Sequence, residues 1–271
     1  MSKGNPLIGF RKDILEKGSN SILEYLRMKI PKTIQKKEAE IDVNKTIHTG
    51  ILSMKKASLT KFPPLIFENL SLATSITHFD LSDNQIEQID PQLSLLTSLK
   101  KIILNNNKIT SLPSQISNLK SLEYLSLSKN KISSLPDIFD SFPNLTHLDL
   151  SINLISIFPP SFFSLNNLKL VDLSFNRLDQ LPSFISNLTQ VEELCLNDNH
   201  IPSFPDQILS FYRLVSLKIE NNDITSVPNE IGLCTQLQLL TLYGNNLKGI
   251  RHDILTKETK PLLSYFRNRL N

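Results

Sequence analysis

Between residues 49 and 250 apolar and polar positions recur in one frame. LKKIILNNNKITSLP, LEYLSLSKNKISSLP and LKLVDLSFNRLDQLP show it best, as L-x-x-L-x-L-x-x-N-x-L-x-x-L-P. Asn84, Asn107, Asn130, Asn153, Asn176, Asn199, Asn222 and Asn245 recur with a strict 23-residue period. Within one unit Leu122, Leu125 and Leu127 read as the inward side of a short strand, because strand side chains alternate between faces. Ile132 and Leu135 continue the core past the turn, and Pro136 ends the extended segment at a position that needs no N–H. Phe139, Phe142 and Leu145 then recur every three residues on the outer side. One such unit cannot bury its own apolar set, so the units must stack, strand beside strand, in a parallel sheet with a spacing of about 4.8 Å.

The repeated asparagine follows from the same stacking. A short polar side chain facing inward at the turn reaches backbone groups of its own coil and of the adjacent one, and a register of eight makes a ladder. A weaker ninth unit comes first, LSMKKASLTKFP, with Leu52, Met54, Leu59, Phe62 and Pro63 in frame. Ala57 replaces the asparagine there, and four extra residues delay the next unit. Terminal units of repeat arrays commonly depart from the consensus.

The two ends of the chain resemble each other. GNPLIGFRKDILEKGSNSILEYLR begins at Gly4 and GNNLKGIRHDILTKETKPLLSYFR at Gly244, and about half of their positions are identical. In the second, Ile250, Ile254, Leu255, Leu262, Leu263 and Phe266 have the spacing of an amphipathic helix that covers the open apolar edge of a last repeat. The first reads as the same kind of cap, with Ile14, Leu15, Ile22, Leu23 and Leu26 as its stripe and Pro31 as its stop. The expected organisation is a cap helix over 1–30, a charged linker over 31–48, about nine repeats over 49–250 and a C-terminal cap helix over 251–271. The expected fold class is an α/β solenoid, a curved right-handed horseshoe with a parallel β-sheet on its concave face and helical caps.

These residues resemble the leucine-rich repeat pattern, and the LxxLP ending with a 23-residue period looks like the intracellular class that includes Ras-pathway scaffold proteins. The two-array plan, the Ala57 frame and the duplicated cap look like the leucine-rich repeat-containing protein 40 family. That resemblance implies that the chain is the second array of a longer protein. The rival reading is a complete short protein whose leading helix serves as its N-terminal cap.

Composition narrows the class without naming a function. The chain is 40% apolar and 20% charged, as soluble globular proteins are. No apolar run in it approaches the roughly 18 residues of a membrane helix. Over positions 1–17 stand Lys3, Arg11, Lys12 and Lys17 with no continuous apolar core, so nothing there reads as a signal peptide. Two cysteines, Cys195 and Cys234, are too few for a disulfide framework, which points to a reducing, cytoplasmic setting. Residues 1–60 hold 12 Lys and Arg against 6 Asp and Glu, and the remainder 17 against 20. A basic leader therefore precedes a slightly acidic body.

The exposed face of the sheet is the expected working surface. Ile152, Leu154, Leu170 and Phe175 fall together on two adjacent repeats, with Tyr124, Lys129, Lys131, His147 and Arg177 around them. An apolar centre with aromatic and arginine neighbours suits a protein-binding hot spot. The plainer alternative is packing, since a Phe in an LSFN frame also lies flat over neighbouring coils. Lys101, Lys108, Lys129 and Lys131 form a strip that suits an acidic partner segment, or is simply solvated. No cofactor, metal or small-molecule substrate is expected. Asp149 and Asp172 share a column at roughly 5 Å, a separation used in glycoside hydrolysis, but an open sheet offers no pocket to exclude water. His78, His147 and His200 stand two or three repeats apart, too far to share a metal. Cys195 falls on the sheet face and Cys234 in the core, so they are not expected to pair. The expected function is a non-enzymatic scaffold for a protein partner. The alternative is binding to nucleic acid or an anionic surface through Arg11, Lys12, Lys17, Lys36 and Lys37. These are interspersed with acids and carry little aromatic interleaving.

Overall fold

The computed structural model describes residues 41–270. Nine short strands lie side by side in sequence order and all pair parallel. They are β1 (Ile51–Ser53), β2 (His78–Asp80), β3 (Lys101–Ile103), β4 (Tyr124–Ser126), β5 (His147–Asp149), β6 (Leu170–Asp172), β7 (Glu193–Cys195), β8 (Ser216–Lys218) and β9 (Leu239–Thr241). The middle residue of each strand points into the solenoid. Leu52 pairs with Phe79, then Phe79 with Ile102, Ile102 with Leu125, and so on to Leu240, and all nine are buried. After each strand a second inward set closes the coil, Leu127, Ile132, Phe139, Phe142 and Leu145 in the fourth, each at most 1% exposed.

From the second coil on, the side opposite the sheet is made of 3₁₀ turns, such as Ser114–Asn118, Pro160–Ser164 and Asn229–Leu233. Phenylalanines fill the space behind them in the middle of the array. Phe139 is 5.4 Å from Phe162, and Phe162 5.4 Å from Phe163, edge to face as aromatic rings prefer. Strands pack about 4.8 Å apart while such aromatic layers need more room, so the array bends with its sheet on the inside. The four extra residues of the first unit lie on this outer side. There two α-helices, α2 (Leu65–Glu68) and α3 (Leu70–Ser75), replace the 3₁₀ turn, and Asn69 caps the second by accepting from Leu72 N–H at 3.0 Å.

Both ends of the described array are helical. At the start lies α1 (Val43–Thr49), capped by Asp42, whose side chain accepts from Lys45 N–H at 3.0 Å. The last residues of the expected 31–48 linker are thus helical. Asp42 at the start and the turn at Gly50, with φ +68°, give its last residues a helix with both ends satisfied. The rest of that linker and the expected 1–30 cap lie outside the described residues. At the other end stand α4 (His252–Leu255) and α5 (Thr259–Arg267). Their Ile254, Leu255, Leu262, Leu263 and Phe266 are buried. Gly232 makes this docking possible, because a Cβ there would collide with the backbone of Leu263 and Arg267. Arg267 fastens the contact by donating from Nε and Nη2 to the Gly232 carbonyl at 2.9 and 2.7 Å.

Candidate functional site

The frame that stacks the coils also fixes what the concave face displays. Each asparagine spans two coils. Asn153 accepts at Oδ1 from Ile132 N–H at 3.0 Å, and its Nδ2 donates to the carbonyls of Leu127, Leu150 and Ser151 at 3.0, 3.0 and 3.1 Å. The same set recurs at Asn84, Asn107, Asn130, Asn176, Asn199, Asn222 and Asn245. Ala57 lacks this reach, and Met54 carbonyl is served from the next coil, by Asn84 Nδ2 at 2.9 Å.

To aim the asparagine inward, the residue before it must turn left-handed. Asp83, Asn106, Lys129, Ile152, Phe175, Asp198, Asn221 and Gly244 all have φ between +52° and +72°. Asp, Asn and Gly tolerate that region, whereas for a bulky or β-branched side chain it is a true outlier that costs about 1–2 kcal/mol. Ile152 and Phe175, both at φ +53°, hold their backbones there through donations to Ser174 and Asn197 carbonyls at 2.9 Å. Burial offsets that cost only in part, with 46% and 50% of their surfaces exposed.

The nine residues picked out in the sequence stand as three columns on three adjacent coils. Tyr124, His147 and Leu170 are register partners on β4, β5 and β6. Lys129, Ile152 and Phe175 form the column just before the asparagines, and Lys131, Leu154 and Arg177 the column just after. Tyr124 and His147 stack with ring centroids 5.7 Å apart. Lys101 Nζ lies 4.3 Å from the Tyr124 centroid, within reach of the ring's negative face. His147 Nδ1 is 2.8 Å from Thr146 Oγ1, whose hydroxyl donates to Glu123 carbonyl at 3.0 Å. With the hydroxyl proton so used, the ring takes the donor role from Nδ1 in that contact. Leu154 and Leu170 are half-buried beside the two exposed apolar side chains.

The weighed chemistry takes structural roles. Asp149 Oδ1 accepts from Ser151 N–H and Oγ at 3.0 and 2.7 Å, and Asp172 Oδ1 from Ser174 N–H and Oγ at 3.0 and 2.5 Å. Both carboxylates thus hold the turn at the end of their own strands. Among the described residues no three His, Cys, Asp or Glu side chains come together as a metal site. Cys195 stands in the outward column of the sheet face. It is only 8% exposed, because its short side chain sits in register between Asp172 and Lys218. Burial first, and then the Asp172 charge, push its thiol up to about 11, so the reactive thiolate is scarce at neutral pH. Cys234 is buried in the core, and burial raises its thiol too. The basic residues of the nucleic-acid alternative all lie outside the described residues. Among those described, no helix is long and apolar enough to cross a membrane.

Sequence alone missed the left-handed strain, the ordering of Lys101 on Tyr124 and the buried Glu220. That carboxylate, 9% exposed, accepts from Thr241 Oγ1 and from Tyr243 hydroxyl at 3.5 Å. The sequence signal for it is a Glu two places before the ladder residue, where the other coils of the ladder have Ser or Asn and the last has Tyr243.

The Leucine rich repeat family matches residues 97–155 and 143–201. No curated protein matches the chain. Among solved structures, a leucine-rich repeat protein of Leptospira interrogans is 22% identical with a TM-score of 0.55, over 75% of this chain and 70% of that one. Internalin C2 of Listeria monocytogenes is 20% identical with a TM-score of 0.60, over 72% and 79%. The plant peptide hormone receptor RGFR1, solved with RGF2, is 23% identical with a TM-score of 0.57, and 66% of this chain spans 34% of that receptor. Residues 97–201 thus match the Leucine rich repeat family, and the fold is the α/β solenoid horseshoe of the leucine-rich repeat structures, with the parallel sheet on the concave face.

Proposed function

We propose that this chain is a non-enzymatic scaffold that binds a protein partner on the concave face, at the three-by-three grid of Tyr124, His147, Leu170, Lys129, Ile152, Phe175, Lys131, Leu154 and Arg177. Leucine-rich repeat arrays typically mediate protein–protein interaction, and the RGFR1 structure with RGF2 pairs such a fold with a peptide hormone. The observation that carries the reading is the placement of Ile152 and Phe175. Both are half-exposed in a backbone region that penalises them, on adjacent coils, where other coils use Asp, Asn, Lys or Gly. Strain that burial offsets only in part is what a site kept for contact would show. An Ile152→Asp/Phe175→Asp double variant tests it. The wild-type array is expected to recover a partner from cell extract and the variant to lose it. Unchanged recovery with an intact fold rejects the site.

The finer family reading, the leucine-rich repeat-containing protein 40 family, is supported by the 23-residue LxxLP frame, Ala57 in the first frame and the duplicated 24-residue ends. With it go the expected organisation around a 49–250 repeat body and a cytoplasmic location. Two free, buried cysteines fit that reducing compartment. Fractionation of cells expressing the chain checks the location.

A further inference from the structure

The charges of the concave face are sorted along the array. On the third and fourth coils the four outward columns carry Lys101, Lys108, Lys129 and Lys131 and no acid. On the seventh and eighth they carry Glu193, Asp198 and Asp223 against Lys218 and His200. Between them lies the apolar centre, with Arg177 and with Asp149 and Asp172, whose carboxylates accept from the serines at the ends of their strands. The sorting is visible within single columns. The column before the asparagines runs Lys129, Ile152, Phe175, Asp198, and the strand column runs Lys101, Tyr124, His147, Leu170, Glu193.

Internal pairing leaves most of this charge available. Among the described residues none of the four lysines meets a carboxylate within 4.0 Å. The acids nearest the basic side are already engaged, since Asp83 pairs with Lys55 at 3.5 Å and accepts from Asn106 at 2.6 Å. At the other end Asp223 meets only His200, at 3.8 Å, and Asp198 accepts from the neutral amides of Asn197 and Asn221 at 2.8 and 3.0 Å.

We propose that the partner is a single segment with sorted charge, acidic at one end, apolar in the middle and basic at the other, lying across the strands with its acidic end over Lys101, Lys108, Lys129 and Lys131. This rests on the concave-face reading above and adds the partner's chemistry and its direction along the array. The reach follows from strand spacing. Lys129 to Asp198 spans three steps of about 4.8 Å, which an extended peptide covers in about four to five residues and a helix in about ten. Ile152 and Phe175, one step apart, match two apolar residues at i and i+3 or i+4 of a helix. Like charge at either end is disfavoured, so the arrangement selects against uniformly acidic and uniformly basic segments.

Three synthetic 16-residue peptides with one apolar centre test this. One carries an acidic and a basic end, one two acidic ends and one two basic ends. Titration by fluorescence anisotropy at low salt is expected to favour the sorted peptide by about tenfold or more, from several exposed ion pairs acting together, and the preference should shrink as salt screens those pairs. Lys129→Glu/Lys131→Glu, checked for an unchanged melt, should move the preference to the peptide with two basic ends. Equal binding of all three peptides that Ile152→Asp/Phe175→Asp abolishes overturns the sorting and leaves the apolar site standing. A sorted preference that survives Ile152→Asp/Phe175→Asp overturns the concave apolar site instead. Failure of wild type to bind any of the three overturns the sorted-partner proposal.

Discussion

Asn153→Ala isolates what one rung of the ladder contributes. The side chain is 6% exposed and makes four hydrogen bonds, one received and three given. Its partners do not suffer equally when it is removed. Leu127 carbonyl keeps Asn130 Nδ2 at 2.9 Å, Leu150 carbonyl keeps Asn176 Nδ2 at 3.0 Å, and Ser151 carbonyl keeps Lys129 N–H at 2.9 Å. Ile132 N–H keeps nothing, in a residue that is fully buried. A stranded buried donor costs about 1–3 kcal/mol, and weakening of three carbonyl contacts adds to it, so the expected loss is about 2–4 kcal/mol. Asn130→Ala is the matched control. It removes the same four bonds, but Asn130 is only half-buried. The donor it strands, Ile109 N–H, nevertheless belongs to a residue as fully buried as Ile132, so the loss should match that at Asn153 to within about 1 kcal/mol. Urea unfolding followed by circular dichroism measures both, provided the slopes with denaturant agree. A loss below about 1 kcal/mol for Asn153→Ala, or a clearly smaller loss at Asn130, would falsify the view that the buried donor decides the cost.

Ile152→Asn should raise stability by about 1 kcal/mol, because Asn accepts the left-handed backbone more readily, while weakening partner binding; a melt and a pull-down on one preparation check both halves. Gly232→Val should force the terminal helix α5 away from the last coil, seen as faster amide exchange in Leu262 to Phe266, whereas the exposed Gly249→Ala, with nothing near its Cβ, should leave exchange unchanged. Cys195 favours the protonated thiol in the fold, raised from 9.0 to about 11, so its contribution is complete below the unfolded value and lost as pH climbs through the folded one. Wild type should therefore lose about 2–3 kcal/mol more than Cys195→Ala over that interval in paired unfolding titrations, and native Cys195 should resist alkylation near neutral pH.

The stack was legible because one physical demand repeats in every coil. An inward Leu on the strand, an Asn at the turn and a Pro after it each answer a need that no neighbour can meet, so the period appears in the letters themselves. The columns of the face follow by counting from each Asn, and Tyr124, His147 and Leu170 stand as register partners for that reason. Depth within a column was not legible. Cys195 and Ser126 share the column of Asp149 and Lys218 yet are 8% and 0% exposed, because a short side chain between long ones sinks below them. The helix at Val43–Thr49 was hidden for a related reason. Its charged letters read as linker, while its stability comes from the Asp42 cap and the Gly50 turn rather than from an apolar stripe. The strain at Ile152 and Phe175 needed both levels. Counting puts them just before the asparagine, but only the backbone shows that this position is left-handed in every coil. An apolar side chain there is strained and only half sheltered, which the proposed contact with a partner would account for. That is why these two residues, rather than the larger but buried phenylalanines behind the sheet, are the point at which stability and binding should move in opposite directions.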